Sequence, residues 1–145
     1  MRAFLDTNVY ISNLLAPAGS SPPTLVVRTA LAGTYILLVS QSLLAELRSR
    51  VARKPYLAAR IPMALAQELI DQLTRVAEFV PEIPEPHPSV GRDRGDDYVI
   101  AHALLGRADY LVSGDADLTS LGQVGTVAIV DPARFLAILR GSGVV

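Results

Sequence analysis

Six carboxylates stand out in this sequence by where they fall: Asp6, Glu46, Asp96, Asp97, Asp115 and Asp117. The stretch DRGDDYVIAHALLGRADYLVSGDADL, beginning at Asp93, carries four of them. Asp96 and Asp97 open a run in which Val99, Ile100, Ala103 and Leu104 recur at helical spacing, and Gly106 stands where a C′ glycine belongs. Asp115 and Asp117 lie just past the short apolar run Tyr110-Leu111-Val112, which reads as a buried strand. Asp6 likewise follows an apolar run that ends at Leu5. If these strand ends and helix starts share one edge of a sheet, several acids lie within a few ångströms. Two unit charges about 4 Å apart repel by about 4 kcal/mol at an effective dielectric of 20. A cluster of four or more must therefore protonate or bind cations. Oxygen donors without Cys or His point to Mg²⁺ or Mn²⁺, whose chemistry on carboxylates suits phosphodiester hydrolysis.

Each acid also has an ordinary role open to it. Asp6 and Asp96 fit as helix N-caps, each worth about 1 kcal/mol. Glu46 fits as a solvated helix residue. Asp115-Ala-Asp117 fits as a turn. Their joint placement is what favours a metal site.

The elements that must position them alternate along the chain. Met1–Leu5 is a strand leading into a helix after Asp6. Pro17 to Pro23 is a loop, Leu25–Leu31 a helix ending at Gly33, and Tyr35–Val39 a second strand. Ser40 or Ser42 caps a helix that runs to about Arg53 and carries Glu46. Pro62 begins another through about Ala77, and Phe79-Val80 is a short, poor strand. Pro81, Pro84, Pro86 and Pro88 make a stiff linker into the acidic helix. Beyond Asp117 come a helical turn near Leu121-Gly122, a strand Thr126–Val130 and a helix Pro132–Arg140. Strands alternating with helices imply a single α/β domain over residues 1–145 with a mostly parallel sheet. Ligands of such sheets bind beyond the carboxyl ends of the strands, where Asp6 and Asp115 fall.

Composition narrows the function classes. Half of the 145 residues are apolar, so a packed core is expected. No apolar run reaches the roughly 18 residues that span a bilayer. Residues 1–5 are too short for a signal-peptide core, so a soluble, cytoplasmic protein without membrane association is expected. The absence of Cys excludes disulfides, thiolate zinc sites and cysteine nucleophiles, and His87 and His102 alone cannot build a histidine-rich metal site. The net charge is −1, but with the six acids set aside the remainder is basic. Arg48, Arg50, Arg53, Lys54 and Arg60 cluster near the helix of Glu46, either as a solvated face or as a phosphate-backbone contact. His102 reads as a packing or surface residue. Tyr10 and Tyr98 read as core residues, with stacking on an unpaired base as the second option.

MRAFLDTNV, the isolated Glu46, GDDYVIAHAL and ADYLVSGDADL occur in an order that resembles the PIN-domain ribonucleases, most closely the VapC-type toxins of bacterial toxin–antitoxin systems. The likeness covers nearly the whole chain. It implies a three-layer α/β/α fold around a five-stranded, mostly parallel sheet. It implies catalytic acids Asp6, Glu46, Asp96, Asp115 and Asp117, with Asp6, Asp96 and Asp115 on Mg²⁺ or Mn²⁺ and Asn8, Ser113 and Asp97 in support. Asp96 is favoured over Asp97 because Ala101 and Ala103 follow it at the family's usual spacing. Two positions depart from the pattern: Arg94 stands where that branch often has Pro, and Ser113 where Thr is commoner, although Ser keeps the hydroxyl. The resemblance further implies an RNA substrate, either single-stranded or structured, and a small antitoxin partner. A homodimer is expected as the commonest symmetric state, with Leu25, Val26, Leu65 and Leu69 as its candidate face.

Three other readings share parts of this pattern: a general RNA-processing nuclease on the same fold, a haloacid-dehalogenase-type phosphatase and a non-catalytic RNA- or protein-binding domain. The phosphatase wants a second Asp two residues after its nucleophile, where this chain has Asn8. A binding domain would gain nothing from clustered carboxylates.

Overall fold

A computed structural model of the chain describes residues 1–83 and 94–143, with only the backbone described from 94 to 96. The proline-rich linker from Pro84 to Pro88, His87, and the side chains of Arg94 and Asp96 therefore lie outside the described residues.

The first strand, β1 (Arg2–Leu5), sits in the middle of the sheet, with Ala3, Phe4 and Leu5 fully buried. It pairs in parallel with β2 (Ile36–Val39) on one side and β4 (Tyr110–Val112) on the other. Beyond β2 lies the two-residue β3 (Glu78–Phe79), and beyond β4 lies β6 (Val127–Val130), both parallel. The order β3-β2-β1-β4-β6-β5 makes six strands, one more than the five expected. The extra strand, β5 (Gln123–Val124), pairs antiparallel with β6 through the turn Gly125-Thr126, with Gly125 at φ +57°. Two residues are too few for an apolar alternation, which is why pattern reading passes over such a strand.

The helices are α1 (Thr7–Leu15), α2 (Pro22–Leu31), α3 (Gln41–Arg53), α4 (Pro55–Ala58), α5 (Met63–Val76), α6 (Arg94–Leu105), α7 (Ala116–Thr119) and α8 (Pro132–Gly141). Their starts follow capping chemistry. Asp6, Ser40, Asp115 and Asp131 each accept a backbone N–H of the helix they open, and prolines occupy the first turn of α2, α4 and α8. Pro62 is the N-cap of α5 rather than its first residue, and α4 is a single turn set between α3 and α5. The acidic helix α6 begins at Arg94, two residues before Asp96.

Alternating side chains of the strands face different helices. Phe4 meets His102 of α6, while Tyr110, whose register partner is Ala3, meets Phe135 of α8 on the other face. The sheet is thus covered on both sides, and the core is a continuous apolar cluster across all three layers. Val26 and Leu69 belong to that core and are almost completely buried. They cannot form the dimer face suggested for Leu25, Val26, Leu65 and Leu69; Leu25 and Leu65 are partly buried against the same core.

Two contacts hold the edge of the sheet opposite Asp6. The Arg2 guanidinium donates to the Glu78 carboxylate and, through Nε and Nη2, to the Gly106 carbonyl at 3.2 and 2.8 Å. The Arg2 backbone N–H donates to Asp109 Oδ2 at 2.9 Å. Gly106 is not the left-handed C′ residue expected; Arg107 takes that conformation at φ 54°. Glycine is needed at 106 because a Cβ there would lie 2.8 Å from Val80 Cγ2 and 3.1 Å from Leu38 Cδ1. No helix among the described residues is long and apolar enough to cross a membrane.

Candidate metal centre

The direction of chain travel away from β1 reverses between β1 and β4: β2 and β3 lie to one side, β4 and β6 to the other. That switch point leaves a crevice at the carboxyl ends of the two strands. Asp6 and Ser113 stand at its two lips. The Asp6 N–H continues the ladder to the Val112 carbonyl at 2.9 Å, and the Ser113 N–H does so to Val130 at 3.0 Å.

Asp6 is held by three donors. Its Oδ1 accepts the Thr7 N–H at 2.8 Å, while Oδ2 accepts the Ser113 hydroxyl at 2.8 Å and the Asn8 amide at 3.1 Å. Asn8 in turn takes the Gly114 N–H on Oδ1 at 3.1 Å, and Ser113 Oγ takes the Asp115 N–H at 3.0 Å. So Asn8 and Ser113 act on Asp6 as orienting groups, and Asp115 is tied to it through one shared hydroxyl. The Asp115 carboxylate caps α7 by accepting the Asp117 N–H at 2.9 Å.

Glu46 reaches the same place from α3. Its Oε2 accepts the Thr7 hydroxyl at 3.3 Å, and its Oε1 lies 3.1 Å from Arg50 Nη2. Thr7 therefore bridges the two acids, its N–H on Asp6 and its hydroxyl on Glu46. Burial pushes the Asp6 carboxyl above the usual carboxylate range, and the negative charge of Glu46 adds to the rise. The Ser113 hydroxyl, the Thr7 N–H and the Arg50 charge oppose it without cancelling it.

A second polar group ties α3 to α6. The Ser40 and Tyr98 hydroxyls share a hydrogen bond of 2.8 Å, and Ser40 Oγ also caps Leu43 N–H at 3.1 Å. Glu82 accepts both the N–H and the hydroxyl of Ser42, and His102 Nε2 lies 3.7 Å from Glu82 Oε2. His102 is fully buried with Nδ1 3.0 Å from the Tyr98 carbonyl, so it packs, as its sequence context suggests. Tyr10 is also fully buried and cannot stack on a base.

The described residues thus bring Asp6, Asn8, Glu46 and Ser113 together, with Asp115 one hydroxyl away. Asp117 is exposed at the start of α7, and Asp97 is half-buried in the first turns of α6. The Asp96 side chain is outside the described residues. Among the described residues, no three His, Asp or Glu side chains form a group that could hold a metal ion. What is present fits a hard divalent cation in kind: a half-buried carboxylate raised by desolvation, a second acid beside it, and only oxygen donors. Sequence reading overlooked Thr7, although it lies within Asp-Thr-Asn, and the link of Arg50 to Glu46, although i,i+4 spacing announces it. Beside the acids, Asn8, Val9, Ser12, Pro23, Gly114 and Pro132 line a cleft of about 210 Å³. A groove of about 190 Å³ between α1, α2 and α5 lies away from them.

Known proteins resemble this chain in sequence profile and in fold. A family profile described as PIN domain matches residues 2–117. The fold is similar to that of a chain in the crystal structure of VapBC2 from Rickettsia felis bound to a DNA fragment from their promoter. That match has a TM-score of 0.57 and 15% identity, and it covers 90% of this chain and 98% of that one. A search of curated proteins finds no match. With the profile spanning the strand that leads into Asp6, the helix of Glu46 and the turn of Asp115 and Asp117, the chain belongs to the PIN domain family.

Proposed function

We propose that the protein is an endoribonuclease that uses Mg²⁺ or Mn²⁺ to hydrolyse phosphodiester bonds of single-stranded or structured RNA. The observation that carries this reading is the half-buried Asp6 carboxylate, fixed by three donors beside Glu46 at the switch point of a parallel sheet. A structural N-cap needs one acceptor and no second acid. Asp6, Glu46, Asp96 and Asp115 would hold the ion, with Asp97 and Asp117 as further acids. When bound, it supplies the positive charge that brings a phosphate to the acids and makes water a better nucleophile. Asn8 and Ser113 hold Asp6 in a fixed rotamer. The Asn8 amide donates to Asp6 and Ser113 and accepts the Gly114 N–H, which also disfavours a phosphatase that would need an acid at its position.

The same reading includes partners. A nuclease of this kind acts as the toxin of a toxin–antitoxin pair, its small antitoxin covering the crevice and placing an Arg or Lys among the acids. The toxin pairs with itself through a surface other than the buried Val26 and Leu69. The solved relative's own description as VapBC2 supports the antitoxin. If the protein is recovered alone from its host and tolerated when overexpressed, a general RNA-processing nuclease describes the same chemistry better. Sedimentation at tens of micromolar decides the dimer.

The direct test is a gel assay of labelled RNA with Mg²⁺, Mn²⁺ or EDTA. Cleavage by the wild type with metal, and none by Asp6→Asn, is expected. Undiminished cleavage by folded Asp6→Asn overturns the assignment.

A further inference from the structure

Arg50 lies one turn beyond Glu46 on α3, and its Nη2 is 3.1 Å from Glu46 Oε1. Glu46 is fixed at its other oxygen by the Thr7 hydroxyl, and Thr7 is fixed to Asp6. The guanidinium is therefore positioned from β1 and α1 as well as from its own helix. Arg50 is thus the cation beside Glu46, whereas Arg2 pairs with Glu78 at the opposite edge. Arg48 and Arg53, on the same helix, are exposed.

Two physical facts give this placement a consequence. A guanidinium carries five N–H donors in a planar fork, and its side chain here is still 39% exposed. Glu46 thus leaves donors for a second acceptor. An RNA phosphate approaching Asp6 and Glu46 meets like charge, which a cation held beside them offsets. Exposed charges on a flexible stem give only a diffuse attraction, whereas a pre-oriented guanidinium makes directed, charge-assisted hydrogen bonds.

We propose that Arg50 is a substrate-contacting residue, which keeps its bond to Glu46 while donating to a non-bridging oxygen of an RNA phosphate next to Asp6. This rests on the nuclease reading above and assigns Glu46 a second task, that of aiming Arg50. It needs no movement of α3.

The test measures binding, so that cleavage does not enter it. In an Asp6→Asn background, a fluorescent single-stranded RNA is titrated across a range of salt with Arg50→Gln, Arg50→Lys and Arg53→Gln added in turn. Melting curves check that each variant folds. Losing a directed contact to a charged group should weaken binding on the order of tenfold in Arg50→Gln. The slope of log affinity against log salt should fall by about 0.7, the value for one phosphate contact on a single strand. Arg50→Lys should regain the slope and part of the affinity, and Arg53→Gln should stay near the parent. Arg50→Gln matching Arg53→Gln in affinity and slope would overturn the assignment, leaving an ordinary helix ion pair and the nuclease reading intact. The Arg50 signature in a protein whose wild type cuts no RNA with Mg²⁺ or Mn²⁺ would instead remove the nuclease reading and keep the phosphate contact.

Discussion

The Ser113 hydroxyl donates to Asp6 Oδ2 at 2.8 Å and accepts the Asp115 N–H at 3.0 Å, so one buried oxygen joins the ends of β1 and β4. Ser113→Ala leaves the Asp115 N–H without that acceptor and removes a bond that holds the Asp6 pKa down. A loss of about 1–3 kcal/mol in stability is expected from the two part-buried hydrogen bonds that go. Metal-dependent cleavage should fall with it. Ser113→Thr keeps the hydroxyl and should remain near wild type in both. Denaturant melts and cleavage rates of the two variants, side by side, check this.

The raised pKa of Asp6 sets the sign of a pH effect. Its folded-state value lies above its unfolded one, so its contribution to stability is complete below the unfolded pKa. That contribution is lost as pH rises through the folded value. With EDTA present, the Tm difference between wild type and Asp6→Asn should therefore shift against the wild type as pH climbs out of the carboxylate range. Mg²⁺ should reverse the shift for the wild type alone, because a ligand that binds only the folded state stabilises it. Asp6→Asn is not a simple gain at neutral pH. Its NH₂ must face either the Thr7 N–H or the Ser113 and Asn8 donors, which costs about 1 kcal/mol if the N-cap bond is what is lost. A pH-independent difference between the two melting series would refute the charge argument.

Gly106→Ala tests the close approach of α6 to β2. The new methyl group would sit 2.8 Å from Val80 Cγ2 and 3.3 Å from the His102 carbonyl. Overpacking of this kind costs about 1–3 kcal/mol. Arg107→Gly, at φ 54°, should instead stabilise or be neutral, since glycine takes that conformation without strain. Chemical denaturation separates the two: a Gly106→Ala variant as stable as the wild type would show that Val80 and Leu38 yield to the added methyl group.

Tyr98→Phe removes the hydroxyl that joins α6 to Ser40 at the start of α3. A loss of about 1 kcal/mol is expected from one net hydrogen bond. Because Asp96 and Asp97 precede Tyr98 on α6 and Glu46 follows Ser40 on α3, Mn²⁺ affinity should fall as well. Isothermal titration with Mn²⁺ reads this directly, and unchanged affinity would mean that the two helices are held in place without this bond.

Periodicity and capping were enough to read the strands around Asp6 and Asp115, the helices that follow them and the parallel character of the sheet. Those signals are local: apolar runs, N-cap residues and helical spacing lie within a few positions of one another. Even the Glu46–Arg50 pair is local, one turn apart on α3. What only the tertiary structure decided is non-local. Asp6 and Ser113, 107 positions apart in the chain, meet in one hydrogen bond because β1 and β4 are neighbours, which no spacing in the chain reveals. Burial of Val26 and Leu69, against their place in an amphipathic face, depends on which helix packs over them. Gly106 looks from its neighbours like a helix stop, yet it is required by Val80 and Leu38, which arrive from other elements. Residue types thus announced a set of acids, and the switch point of the sheet, through pairing and burial, determined that Asp6, Glu46 and Ser113 meet.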